Sequence, residues 1–167
     1  MPETSETAPV CYRVEGRVAT ITLNRPDRRN VLSTELLNSL GDLLLRAEAE
    51  PDLRAVVLTG SGSAFCAGRD LKEARGPTPS EALRHNLAEI FELMATGRRP
   101  IIARIAGHCM GGGVGLAAAC DISIAIDSAR FGFSEARIGV APAVISVVCL
   151  RKMRLSDASE LFLTGRS

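Results

Sequence analysis

Two apolar, β-branched runs, PIIARIA at 100–106 and ISIAI at 122–126, flank the stretch CMGGGVGLAAACD at 109–121. Three consecutive glycines, a fourth at Gly115 and then a string of alanines therefore lie between two strand-like segments. Glycine permits a sharp turn and a close approach to the backbone, and small side chains let the following helix sit tightly on a sheet. Such a stretch reads as a strand–turn–helix unit, which needs further strands to pack against.

The rest of the chain supplies them. Cys11–Val14 and Val18–Leu23, split by Glu15, Gly16 and Arg17, read as a hairpin that Pro26 brings to an end. Ser33 is placed to cap a helix reaching about Glu50, with Leu36, Leu37, Leu40, Leu43, Leu44 and Ala47 on one face. Leu53–Thr59 reads as a buried strand, and a Gly/Ser loop at 60–63 follows it. After a Gly-Pro-Thr-Pro breaker at 76–79, an amphipathic helix is expected from Ser80 to about Thr96. Further strands are expected at Ile122–Ile126 and Phe131–Phe133, and helices at Ala143–Met153 and Ser156–Leu163. Strands alternating with helices define the α/β class.

Composition narrows the function. Twenty Lys and Arg balance nineteen Asp and Glu, and there is one Tyr and no Trp. That argues against nucleic acid as the partner, which needs a basic stripe and aromatic platforms. Cys11, Cys66, Cys109, Cys120 and Cys149 show no metal-ligand spacing, and only His85 and His108 could join them, so no metal is expected. An odd set of thiols in apolar runs suits a reducing, cytoplasmic setting. The opening MPETSETAPV has no basic or apolar signal-peptide region and reads as a frayed tail. Gly139–Leu150, interrupted by Pro142, is too short to span a bilayer, so no membrane association is expected.

The glycines admit three readings. A phosphate loop would need Lys and Ser or Thr after them, and neither follows. A dinucleotide fingerprint fits Gly113–Ala118, with Asp127 as the ribose ligand. Against it, the helix Val114–Cys120 looks too short for a parallel crossover, and the motif follows the third or fourth strand, not the first. In the third reading the backbone N–H groups are themselves the tool, a turn and a helix N-terminus awaiting an oxyanion formed during a reaction. Close packing alone explains Ala117, Ala118 and Ala119, but explains three glycines in a row less well. A second strand–glycine–helix turn at 60–72, GSGSAFCAGRDLK, could aim another N–H at the same cleft.

SAFCAGRDLKE, IAGHCMGGGVGLAAACDISIA and ARFGFSEARIGVAP occur in that order. Together they resemble the enoyl-CoA hydratase/isomerase (crotonase) superfamily, and NRPDRRNVLS resembles its opening strand-to-helix segment. The likeness runs from about Val10 to Ser167. It implies a spiral of ββα units binding an acyl-CoA thioester, with coenzyme A arriving as part of the substrate and no separate cofactor. It places two oxyanion donors on the backbone N–H groups of Arg69 and Gly112. Ala67, Asp70, Leu71 and Lys72 would line the channel for the adenine and pantetheine, Asp70 would orient the loop at Arg69, and Arg28 or Arg29 would meet the phosphates.

Water addition to a conjugated double bond also needs proton transfer, and many family hydratases use two glutamates. The first would fall on Gly115 and is missing; the second falls on Glu135. Phe131, Phe133, Ile138 and Val140 suggest an apolar setting that would raise its pKa, whereas Arg130 and Arg137 could make it an ordinary ion pair. Asp121 reads as a cap or loop-pairing residue, and His108 and Cys109 as packing on the cleft floor. Cys66 has no histidine placed to activate it. One carboxylate also suits an isomerase, and Gly115 leaves open a non-catalytic acyl-CoA binder. GGGVGLAAACDI joined to IGVAPAVIS is most similar to the bacterial methylglutaconyl-CoA hydratase branch. Family members continue past "LTGR" into further helices that close the acyl pocket and build a trimer. The expectation is therefore a disordered tail at 1–9 and an incomplete core at 10–167, with the C-terminal helical segment missing, an open pocket, and unpartnered apolar faces at Ala143–Leu150 and Leu161–Leu163.

Overall fold

Gly16, at φ +59°, turns the expected hairpin, in which β1 (Val10–Glu15) pairs antiparallel with β2 (Val18–Leu23). The structure, a computed structural model, describes residue 5 and residues 7–70, 73 and 83–167. Six more strands follow: β3 (Ala55–Gly60), β4 (Ala64–Cys66), β5 (Ile101–Ile105), β6 (His108–Met110), β7 (Ile122–Ala125) and β8 (Phe131–Gly132). The helices are α1 (Thr34–Ala49), α2 (Leu87–Thr96), α3 (Gly112–Ala119), α4 (Ala143–Cys149) and α5 (Leu155–Thr164).

From β3 onward the strands alternate between two sheets. One has the order β1-β2-β3-β5-β7 and the other β4-β6-β8. Every pairing after the hairpin is parallel. Each two-strand step ends in a helix: α2 after β4, α3 after β6 and α4 after β8. The repeated unit is therefore ββα, and its repetition winds the chain into the expected spiral.

Ser33 caps α1, its Oγ accepting from the Leu36 N–H at 3.3 Å. Leu36, Leu40, Leu43, Leu44 and Ala47 of that helix are buried, while Leu37 is only partly so. They meet Ile21, Leu23 and Leu58 from the first sheet. α2 begins later than expected, and residues 80–82 lie outside the described residues. Asn86 sets its start: its Oδ1 accepts from the N–H groups of Ala88 and Glu89, while Glu89 Oε2 accepts from the Asn86 N–H. This reciprocal box fixes the first turn more firmly than the periodicity of the preceding residues could. The α4 segment is also shorter than expected, stopping at Cys149 instead of Met153.

One inference from spacing is corrected. The helix after the glycines is too short by itself for a parallel crossover, yet β5 and β7 are parallel neighbours. The connection between them holds β6 as well as α3, and the extra strand supplies the missing length. The glycine turn thus follows the sixth strand, not the third or fourth.

The expectation for the apolar C-terminal faces holds in part. Val144, Val147, Leu150 and Leu163 are exposed. Leu161 and Phe162, however, pack on the core, with the Phe162 ring edge-on to Phe133 at 4.5 Å between centroids. Ile122, Ile124 and Ile126 add to the exposed apolar surface along β7. No described helix is long and apolar enough to cross a membrane.

Candidate functional site

Residues 67–70 leave β4 as an irregular strip, and one buried side chain anchors the segment just before it. Asn30, fully buried at φ +54°, accepts from the Arg25 N–H through Oδ1 at 2.7 Å. Its Nδ2 donates to the carbonyls of Ser61, Ala64 and Phe65. A left-handed backbone and a short amide suit asparagine, and here the amide ties the NRPDRRN turn to Ser61 and to the start of β4. The Leu32 N–H donates to the Gly68 carbonyl at 2.8 Å, and the Asp70 N–H donates to the Leu32 carbonyl at 3.2 Å. In such a parallel bridge the middle residue points its own amide to the other side. The Ala67 N–H reaches the Arg29 carbonyl, and the Gly68 N–H reaches Cys66 Sγ. The Arg69 N–H alone on this strip has no acceptor among the described residues.

The second turn is built from positive-φ geometry. Gly111, at φ +51°, ends β6, and its N–H donates to the Gly132 carbonyl of β8 at 2.8 Å. Gly112 opens α3, so its N–H is one of the amides at a helix start that no carbonyl within the helix can satisfy. A Cβ at Gly68 would lie 3.4 Å from the Gly112 nitrogen and 3.0 Å from the Met110 carbonyl oxygen. The two turns therefore touch, and only glycine at position 68 (φ +89°) allows it. Likewise a Cβ at Gly113 would stand 2.6 Å from the Cys66 carbonyl oxygen.

Glu135 begins a 3-10 turn (Glu135–Ile138) that follows β8. Its carboxylate lies against the same glycines: a Cβ at Gly111 would be 2.9 Å from Oε1 and 3.6 Å from Oε2. Oε2 is enclosed, with no hydrogen-bond partner among the described residues. Burial pushes the carboxyl above its ordinary 4.5, against a smaller opposing hydrogen bond from its own backbone N–H. The expected setting needs correcting in its origin. Phe133 is buried, but Phe131, Ile138 and Val140 are exposed, so the glycine turn and not these neighbours encloses the carboxylate. Neither Arg130 nor Arg137 forms an ion pair with it.

The remaining residues sort as follows. Asp70 is buried, with its carboxylate 3.6 Å from the half-exposed Arg28 guanidinium, which stands beside the 67–70 strip. Arg29, at φ +52°, contributes only its carbonyl to the strip. Leu71 and Lys72 lie outside the described residues. Asp121 accepts from the Ile101 N–H at 2.8 Å and pairs a loop with a strand start. Asp127 is exposed. Cys109 is buried on β6, facing Cys66 across the β4–β6 pair. His108 is a correction: it is exposed, and its Nδ1 accepts from the Arg130 N–H. In a strand, consecutive side chains face opposite ways, so His108 and Cys109 cannot both reach one floor. Burial pushes the Cys66 thiol up to about 12, which leaves it un-ionised and poorly nucleophilic. Asn30 is the residue that the motif reading passed over, although its place in the NRPDRRN turn marked it as a turn residue.

A two-sheet ββα spiral with two touching glycine turns and a half-buried carboxylate defines a class of fold and site. Comparison with known proteins gives the family. The model of the enoyl-CoA hydratase/isomerase family matches residues 13–167, and the chain belongs to that family. A Thermus thermophilus protein named as an enoyl-CoA hydratase is 42% identical, covering 91% of this chain and 62% of its own. The crystal structure of an enoyl-CoA hydratase from Mycobacterium avium is 40% identical with a TM-score of 0.82, covering 95% of this chain and 63% of its own. That of a Mycobacterium smegmatis enoyl-CoA hydratase has a TM-score of 0.88 at 34% identity, covering 94% of this chain and 63% of its own. The chain thus spans less than two thirds of the length of these relatives.

Proposed function

We propose that this chain carries the reaction centre of an enoyl-CoA hydratase. The thioester carbonyl oxygen accepts from the Arg69 and Gly112 N–H groups. The Glu135 carboxylate takes a proton from water as the water oxygen bonds to the β-carbon. The π electrons move onto the thioester oxygen as an enolate, which the two amides stabilise where charge develops. Glu135 then returns its proton to the α-carbon, and a 3-hydroxyacyl thioester leaves. The observation that carries this reading is the contact of Gly68, Gly111 and Gly112, with the Glu135 carboxylate over Gly111.

Ala67, Asp70, Leu71 and Lys72 are assigned to the coenzyme A channel, and Arg28 to its phosphates. Arg28 stands beside that loop through Asp70. The likeness of IGVAPAVIS to methylglutaconyl-CoA hydratases supports a branched, short acyl group.

The test is conversion of crotonyl-CoA to its 3-hydroxy product by wild type and by Glu135→Gln. Loss of at least a hundredfold in turnover, with thioester affinity kept, is expected for a proton-transfer group. Wild-type rates in the variant would remove Glu135 from the reaction. Gly115 favours one second reading, a single-carboxylate isomerase. It requires that a 3-enoyl-CoA be converted to the 2-enoyl isomer while crotonyl-CoA is not hydrated.

A further inference from the structure

The space that a side chain at Gly115 would occupy is already filled. A Cβ there would lie 2.6 Å from Phe91 Cζ and 2.9 Å from Ile145 Cγ2. Three residues earlier, a Cβ at Gly112 would lie 2.7 Å from Leu32 Cδ1 and 3.4 Å from Leu87 Cδ2. Residues three or four apart share a face of a helix, so Gly112 and Gly115 look the same way from α3. Leu87 and Phe91, four apart, look back at them from α2. Phe91 and Ile145 are both buried, 5% and 4% exposed. A group held at the Gly112 N–H would therefore have the Glu135 carboxylate toward Gly111 on one side and a hydrocarbon wall on the other.

We infer that Phe91 and Ile145 determine acyl specificity, closing the volume beside Gly115 against a bulky substituent at the third acyl carbon. This rests on the reading of Gly112 as the carbonyl-oxygen donor, because that donor fixes where the acyl chain starts. Gly115 and Phe91 form a size-for-size pair: the glycine leaves the volume and the ring takes it. The substrate class that follows is a short thioester with a small or absent branch.

The experiment measures dissociation constants of two unreactive thioesters, butyryl-CoA and 3-phenylpropionyl-CoA, for wild type, Phe91→Ala and Phe91→Leu. One methylene in a hydrophobic pocket is worth roughly tenfold or more in discrimination, so removing a ring is a large change. Wild type is expected to prefer butyryl-CoA. The ratio of the two constants should move at least about tenfold toward the phenyl thioester in Phe91→Ala, and in the same direction by less in Phe91→Leu. General loosening of the fold would weaken both thioesters alike and leave the ratio in place. Phe91→Leu keeps most of the buried area and decides the matter if the alanine variant does not fold. A ratio unchanged within about twofold in a folded variant that binds butyryl-CoA overturns this inference alone. Failure of wild type to bind either thioester overturns the reading of the site and this inference with it.

Discussion

An enclosed carboxylate oxygen with no partner costs free energy whenever the group is ionised, and among the described residues Glu135 Oε2 is in that position. The raised native pKa says the same thing through linkage. Below the ordinary carboxylate range the group is protonated in both native and unfolded chains and contributes nothing. As pH rises through the unfolded value toward the native one, the native state holds the extra proton and stability falls. Above the native value the full penalty remains. Glu135→Gln should therefore be more stable than wild type to urea at pH 7, with the difference vanishing at pH values below 4. A variant less stable than wild type at pH 7 would mean that the carboxylate is compensated in the fold. How much of this was legible in sequence divides cleanly. The motif FSEARIG singles out Glu135, but of the neighbours expected to enclose it only Phe133 is buried, while Phe131, Ile138 and Val140 are exposed. A four-residue 3-10 turn is too short to give a periodicity that would reveal which residue faces inward.

At the level of elements, long periodic segments are readable, and of the three short strands of the second sheet only β8 is. Sixteen residues of α1 carry several turns of apolar spacing, and Ser33 marks their start. β4 and β6 have three residues each, too few for alternation to register, and β4 emerges from a Gly/Ser run that reads as loop. These two strands, with β8, make the second sheet, so missing them hid the surface on which both glycine turns rest. The start of α2 was hidden for another reason: the Asn86–Glu89 box is a local signal that periodicity from Ser80 overrode. Asn86→Ala should cost about 1 kcal/mol in chemical denaturation, the usual value of a lost N-cap. It should also loosen the first turn of α2, where Leu87 faces Gly112. An unchanged midpoint would show that packing of Ile90, Phe91 and Met94 holds the helix without its cap.

Across the whole molecule, the meeting of the two turns depends on the parallel pairing of β4 with β6, a contact between residues some forty positions apart. No local pattern encodes it, so the two strand–glycine–helix turns could suggest a shared cleft without fixing the pairing that brings them together. The same scale governs the exposed apolar residues. Val147 is 68% exposed and Leu163 81%, and large exposed apolar patches favour association. Val147→Lys should raise the concentration at which the chain stays monodisperse and leave its unfolding midpoint within about 0.5 kcal/mol of wild type. Equal self-association in wild type and variant would place the sticky surface elsewhere, β7 being the next candidate.

The central claim is that the Arg69 and Gly112 amides grip one thioester oxygen. Carbon-13 NMR of butyryl-CoA labelled at the carbonyl carbon tests it without requiring turnover. Two hydrogen bonds to the oxygen should polarise the carbonyl and move the bound signal downfield of the free thioester. Gly112→Pro, which removes one donor at a helix position that tolerates proline, should lose a large part of that displacement. Its ring would also press on Leu32 Cδ1, so Leu32→Ala alone serves as the packing control and should keep the displacement. A bound signal at the free position in wild type, or a full displacement in Gly112→Pro, would contradict the claim.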